Sequence, residues 1–225
     1  MKVLSIIPAR GGSKGIPLKN LVQLNRKSLL YYTVTASLKS KIINRTIVST
    51  DNKMIGRSAL KLGAEVVYRS KNLATNTTPL EPVVKHVLEY LKKHEGYIPE
   101  IIVILQITSP LRTAKHIDGA LTLMKKQKYD SILSGFSTHT FLWKQSKKTI
   151  VPLDYNPKKR PNRQNMYERL YENGAIFATK IKSFLTSKCR ISGKIGFYKM
   201  PLENSHNIDS YDDLNSLRKF LKILN

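Results

Sequence analysis

Val3-Leu4-Ser5-Ile6-Ile7-Pro8-Ala9-Arg10-Gly11-Gly12-Ser13-Lys14-Gly15-Ile16-Pro17-Leu18-Lys19-Asn20 sets an apolar run directly in front of a loop rich in glycine, proline and cations. The opening residues read as a buried strand. Glycines in the loop behind it let backbone N–H groups approach an anion, and Arg10, Lys14 and Lys19 supply positive charge where a polyphosphate would lie. The spacing is neither of two common phosphate signatures. A Walker loop needs G-x-x-x-x-G-K-[ST] and a dinucleotide fingerprint needs G-x-G-x-x-G, and Gly11-Gly12-Ser13-Lys14-Gly15 is neither. A tight turn with solvated lysines is the competing reading.

Working outward, strand-like runs recur at Val3 to Ile7, Thr46 to Ser49, Glu65 to Tyr68, Ile101 to Gln106 and Ser131 to Ser134. Helix-period segments lie between them, at about Ser28 to Lys39, Met54 to Leu62, Leu80 to Lys93 and Lys115 to Lys126. This alternation predicts an α/β fold, a mostly parallel sheet with helices on both faces. Ligands of such sheets bind at the carboxyl ends of the strands. The cationic loop after the first strand and Gln106-Ile107-Thr108-Ser109-Pro110-Leu111-Arg112 after the fourth both fall at that edge. Beyond about Thr138 the pattern breaks into a polar stretch, Asn156-Pro157-Lys158-Lys159-Arg160-Pro161-Asn162-Arg163-Gln164, and resumes at Gly174-Ala175-Ile176-Phe177. An inserted arm over about 138–172 is expected, within one domain spanning 1–225. A last helix is expected over about Tyr211 to Leu224.

Composition narrows the class. With 225 residues and 41% hydrophobic content, one core is the default. Cys189 is the single cysteine, so no intramolecular disulfide forms and a reducing, cytoplasmic setting is expected. No run approaches the ~18 apolar residues of a membrane span. Lys+Arg 39 against Asp+Glu 15 gives a net charge of +24, which raises nucleic acid as a partner. The lysines are spread along the chain with no aromatic-interleaved motif, which argues against nucleic acid and for solvated faces. Histidines 86, 94, 116, 139 and 206 are scattered and match no catalytic motif.

The order of several motifs resembles the acylneuraminate cytidylyltransferases, which make CMP-activated sialic acids. They are Ala9 to Asn20, Ser49-Thr50-Asp51, Leu105 to Arg112, Tyr171-Glu172-Asn173-Gly174-Ala175-Ile176-Phe177, and Ile208-Asp209. The resemblance implies a Rossmann-like nucleotidyltransferase that joins CTP to a nonulosonic acid sugar and releases pyrophosphate, working as a homodimer with Mg²⁺. It implies Arg10, Lys14 and Lys19 as catalytic triphosphate ligands. Ala9, Gly11, Gly12, Ser13, Asn20 and Arg69 would contact the nucleotide. Gln106, Ser109, Arg112, Asn173 and Gly174 would form the sugar side, with Arg160 and Arg163 reaching a neighbouring subunit's site.

Bland alternatives stand beside these: a surface arginine for Arg69, a helix-entry turn for Thr108-Ser109-Pro110, and a solvated basic loop for Arg160 and Arg163. Asp209 is the implied metal ligand. Two positions depart from the family, Asn207 and Asn76, where relatives often carry aspartate. Ser210 with Asp213 reads as a capping box, which leaves Asp212 and Asp213 out of the metal site. Activation of the eight-carbon acid 3-deoxy-manno-octulosonate, or nucleic-acid binding on a non-catalytic scaffold, are the other readings.

Overall fold

The computed structural model describes residues 1–223, the side chain of Arg163 excepted. Leu224, at the expected end of the last helix, lies outside the described residues. Seven strands form the main sheet: β1 (Val3–Pro8), β2 (Arg45–Thr50), β3 (Glu65–Tyr68), β4 (Ile101–Ile104), β5 (Ser131–Thr138), β6 (Arg169–Lys180) and β7 (Ile195–Lys199). Their order across the sheet is β7-β5-β6-β4-β1-β2-β3. β1 pairs in parallel with both β2 and β4, β2 with β3, and β5 with β7. β6 alone runs against its neighbours β4 and β5.

The helices are α1 (Leu29–Leu38), α2 (Lys53–Lys61), α3 (Leu80–Glu95), α4 (Ala114–Lys126), α5 (Ile181–Ser187) and α6 (Tyr211–Ile223). Alternation along β1 and β4 explains the layers, because successive side chains leave a strand on opposite faces. Val3, Ile7 and Val103 pack with α1, α2, α4 and α6 through residues such as Val34, Ala59, Ile117 and Leu217. Leu4, Ile6, Ile102 and Ile104 face the other way, onto Val84, Val87 and Leu91 of α3 and Phe184 of α5. The expected α/β architecture with helices on both faces is therefore present.

Caps place most helix starts. Ser28 Oγ accepts from Tyr31 N–H, and Asn52 Oδ1 accepts from the N–H groups of Met54 and Ile55. Thr113 and His116 form a reciprocal capping box at α4, which gives His116 a structural task. Two elements of the main layers were not expected, β7 and α5. β7 is a short edge strand containing Gly196, and α5 spans only Ile181–Ser187, so neither leaves a periodic apolar signature long enough to read.

Over the stretch expected as an arm, strand pairing continues beyond the main body of the sheet. β5 and β6 extend into it, pairing Arg169↔Thr138 through Glu172↔Gly135. A hairpin, Trp143–Ser146 with Thr149–Pro152, lies at its far end. Phe141 packs against Tyr155 with the rings tilted at 54° and carries the Arg160 guanidinium 4.1 Å from its ring centre. Trp143, Ile150, Leu153, Leu170 and Tyr167 remain exposed.

Burial separates the two regions energetically. Ile6→Ala, on the central strand, is expected to cost about 2–5 kcal/mol in urea unfolding. Tyr167→Ala, at a residue 93% exposed, is expected to stay within about 0.5 kcal/mol of the parent.

Candidate active site

Past the ends of β1 and β2, side chains take over the bonding that the ladder supplied. Ala9 N–H still donates to Ser49 O at 2.9 Å. Gly11 N–H then donates to Asp51 Oδ1 at 2.8 Å, tying the cationic loop to the Ser49-Thr50-Asp51 turn. Asn20 is buried, and its Nδ2 donates to Arg10 O at 2.8 Å, which closes the loop on its own first residues. Ala9 is fully buried in the core and serves as an anchor for the loop.

The loop also docks on the C-terminal segment. Lys19 Nζ donates to Ile208 O at 3.0 Å and pairs with Asp209 Oδ1 at 2.9 Å. Gly15 permits this approach, since a Cβ there would stand 2.3 Å from Asp209 O. Asp209 itself is 73% exposed at its side chain and Lys19 only 14%.

A cavity of about 300 Å³ opens at this edge, lined by Arg10, Ser13, Lys19, Asn20, Arg69, Gln106, Thr108 and Asp209. Its other wall is the segment Leu73 to Thr78 with Leu80 and Val83. It lies over the carboxyl ends of β1 and β4, the point where the order of strand connections reverses. Arg10 Nη1 donates to Thr75 O at 2.5 Å, which holds that wall in place. Sequence reading noted only Asn76 here. The signal for the rest was the hydroxyl-rich run Thr75-Asn76-Thr77-Thr78, whose Thr75 and Thr78 side chains bond to each other at 2.6 Å.

Arg69 is buried, not a surface arginine. Its Nη1 donates to Ser49 O at 2.8 Å and Ser49 Oγ at 3.1 Å. Burial pushes its pKa down to about 10, with Asp51 acting against that and the Arg10 charge adding to it. Arg10, Lys19 and Arg69 thus gather cationic charge around one cavity, a setting that attracts a polyanion. Lys14 stands apart, exposed beside a shallower recess with Gly12, Ser13 and Ala74 to Asn76. Gly11 is half-buried against Asn52.

On the opposite side the expected sugar contacts divide. Gln106 lines the cavity, and Gly174 sits against it: at φ 65°, a Cβ on Gly174 would lie 2.6 Å from Gln106 Oε1. Asn173 and Ser109 are buried and fully engaged within the protein. Asn173 Oδ1 accepts from Ser134 Oγ at 2.7 Å and Ala175 N–H at 3.1 Å, while its Nδ2 donates to Ser205 Oγ at 3.0 Å. Ser109 Oγ bonds to Asn173 O at 3.1 Å and Asn207 Oδ1 at 2.6 Å. Their side chains brace the wall that carries Gln106 and Gly174. Arg112 is likewise buried away from the cavity, and burial pushes its pKa down to about 9. Arg160 stays within the arm, and the side chain of Arg163 lies outside the description.

The donor set for a metal is small. Asn207 Oδ1 is taken up by Ser109, and Asp213 Oδ2 accepts from the N–H groups of Asp209 and Ser210 and from Ser210 Oγ. Asp213 is thus the reciprocal cap of α6, as the sequence suggests. Asp209 alone is left facing the cavity, and among the described residues no cluster of three acidic, histidine or cysteine side chains forms. One carboxylate fits a Mg²⁺ ion held chiefly by substrate phosphates. Among the described residues no histidine lines the cavity.

Comparison with known proteins gives a consistent family. A family model described as Cytidylyltransferase matches residues 4–217. N-acylneuraminate cytidylyltransferase A of Danio rerio is 35% identical over 211 residues, covering 92% of this chain and 48% of that protein. N-acylneuraminate cytidylyltransferase of Escherichia coli O18:K1:H7 is 33% identical over 219 residues, covering 94% of this chain and 50% of that protein. The chain spans about half the length of the curated relatives it matches. Among solved structures, a CMP:2-keto-3-deoxy-manno-octonic acid synthetase complexed with CTP superposes with a TM-score of 0.73 at 15% identity over all of both chains. A 4-diphosphocytidyl-2C-methyl-D-erythritol synthase does so at 0.72 and 10% identity over 98% of each. These two likenesses concern the fold.

The Asp213 cap generates a pH prediction. Hydrogen bonds from the Asp209 backbone, then from Ser210, hold its carboxyl below the usual carboxylate range. A depressed folded pKa stabilises the native state above the unfolded value, about 3.9, and that contribution is lost as pH falls through the folded value. Asp213→Asn should therefore lower Tm at neutral pH, with the difference from the parent shrinking below about pH 4 in thermal scans.

Proposed function

The chain belongs to the cytidylyltransferase family, and from that premise we propose that it transfers CMP from CTP to the anomeric hydroxyl of a sialic-acid-like nonulosonic acid. The observation that carries this reading is the convergence of Arg10, Lys19 and Gln106 on one cavity at the β1–β4 edge. Relatives named N-acylneuraminate cytidylyltransferase support the choice of acceptor. The octulosonate alternative rests on a likeness of fold at 15% identity.

In the proposed reaction the sugar hydroxyl gives up its proton to solvent water, its oxygen forms a bond to the α-phosphorus, and the bond from that phosphorus to the bridging oxygen breaks. Pyrophosphate leaves with the bonding pair. Lys19 and Arg10 neutralise the triphosphate and the charge that grows on the leaving group. Arg69, fixed by Ser49, adds positive potential from behind. The loop is already closed on itself through Asn20 and Asp51, so little ordering remains when the nucleotide binds. Gln106 would meet hydroxyl or acyl-amide groups of the acceptor from the opposite wall.

Mg²⁺ is part of the proposal: held by Asp209 and substrate phosphates, it would supply further neutralisation of the phosphate charge. Lys19 would then release Asp209 and turn to the nucleotide. A homodimer is proposed through the arm, whose exposed Trp143, Ile150 and Leu153 are suited to burial against a second copy. A cytoplasmic setting fits the exposed free thiol of Cys189. Among the described residues no helix is long and apolar enough to cross a membrane.

Pyrophosphate release is expected only when CTP, Mg²⁺ and a nonulosonic acid are present together. An assay with sialic, legionaminic, pseudaminic and 3-deoxy-manno-octulosonic acids tests this, and release with none of them overturns the reading, as does release with the eight-carbon acid alone. Lys19→Ala is expected to lower kcat by roughly 10²–10³-fold, the magnitude of losing one donor to developing charge.

A further inference from the structure

The crevice between Gln106 and Gly174 exists because β4 and β6 part company. Their antiparallel ladder runs from Lys180↔Ile101 to Phe177↔Ile104. On its other side β6 loses register with β5 between Glu172 and Phe177. The carbonyls of Gln106 and Ala175 lie past the last rung, in the protein interior, where an unpaired carbonyl is costly.

Both carbonyls accept from the same atom. Arg112 Nη1 donates to Gln106 O at 3.1 Å and to Ala175 O at 2.8 Å. Arg112 is 2% exposed, yet it has no carboxylate partner among the described residues. Its Nε and Nη2 have no hydrogen-bond partner there. A buried guanidinium without a counter-ion is rare and expensive. General stability is a poor reason to retain one, since an apolar side chain of similar volume would often serve as well.

We propose that Arg112 is a positioning residue, a buried strut that fixes the spacing between the Gln106 loop and the Gly174 bulge and so governs recognition of the acceptor sugar without touching it. This rests on the cytidylyltransferase reading above. Gly174 is held against Gln106 Oε1 with no room for a Cβ, so a small change in the strut moves the Gln106 amide relative to the bulge. The nucleotide loop is tied through Asp51, Asn20 and Thr75, contacts that do not involve Arg112, and it meets the Gln106 loop through Ile208, which accepts from Lys19 and donates to Thr108.

Arg112→Lys keeps the charge, but the ammonium ends near the position of the arginine Cζ, one bond short of Nη1, and is more strongly hydrated. This variant should raise KM for the acceptor about ten-fold while the CTP Kd, measured by calorimetry, stays within about two-fold of the parent. Gln106→Ala should raise acceptor KM by itself. On that background Arg112→Lys should add less than about two-fold, because the two side chains act in series. Independent, multiplying losses overturn the proposal, as does an unchanged acceptor KM or a CTP Kd that rises in parallel.

If the parent turns over none of the acceptors, the proposed function falls and the strut is judged by amide hydrogen exchange. Faster exchange in Arg112→Lys confined to residues 107–109 and 173–176, with β1 and β2 unchanged, supports it. Uniform acceleration, or none, overturns it.

Discussion

A backbone polar group that leaves a buried sheet still needs a partner, and this constraint organises the whole active edge of the molecule. Where β1 ends, Asp51 receives the Gly11 N–H and Asn20 reaches the Arg10 carbonyl. Where β2 ends, Arg69 takes the Ser49 carbonyl. Where β4 and β6 separate, Arg112 takes two carbonyls at once. Each side chain that stabilises a loop here also fixes one wall of the cavity.

The positive charge of the chain divides by this criterion. Arg69 and Arg112 are buried, and each directs its Nη1 to main-chain oxygens, Arg69 at the cavity lining and Arg112 behind the wall. Arg10 and Lys19 are partly exposed at the cavity, each already held by one or two protein acceptors. Guanidinium suits the interior because its hydration is weak and its donors have fixed geometry. Lysines elsewhere, exposed on helices and on the arm, contribute to solubility and to a general attraction for anions.

The segment from Asn204 to Asp213 is held to the site edge by hydrogen bonds on both sides. Asn207, itself exposed, accepts from Ser109 Oγ through its side-chain carbonyl, and Ser109 also bonds to Asn173 O. Ile208 N–H donates to Thr108 O at 2.8 Å and anchors the same segment to the β4 loop. Asp213 caps α6 and holds the N–H of Asp209. Asp209 is thereby presented to the cavity by its neighbours on both sides.

The alternating apolar runs of β1, β2, β3 and β4, with helix-period segments between them, carried the layered architecture in the sequence itself, because burial on both faces of a parallel strand leaves a continuous signature. Local chemistry was equally legible: the glycine-rich loop, the Ser210–Asp213 cap and Gln106 at a strand exit are properties of short segments. Short edge elements such as β7 and α5 left no such signature. What tertiary structure alone decided was the use of each polar side chain. Asn173, Ser109 and Arg112 are polar residues in site-like motifs, yet long-range packing turns them inward, because buried backbone groups compete with any ligand for the same donors and acceptors.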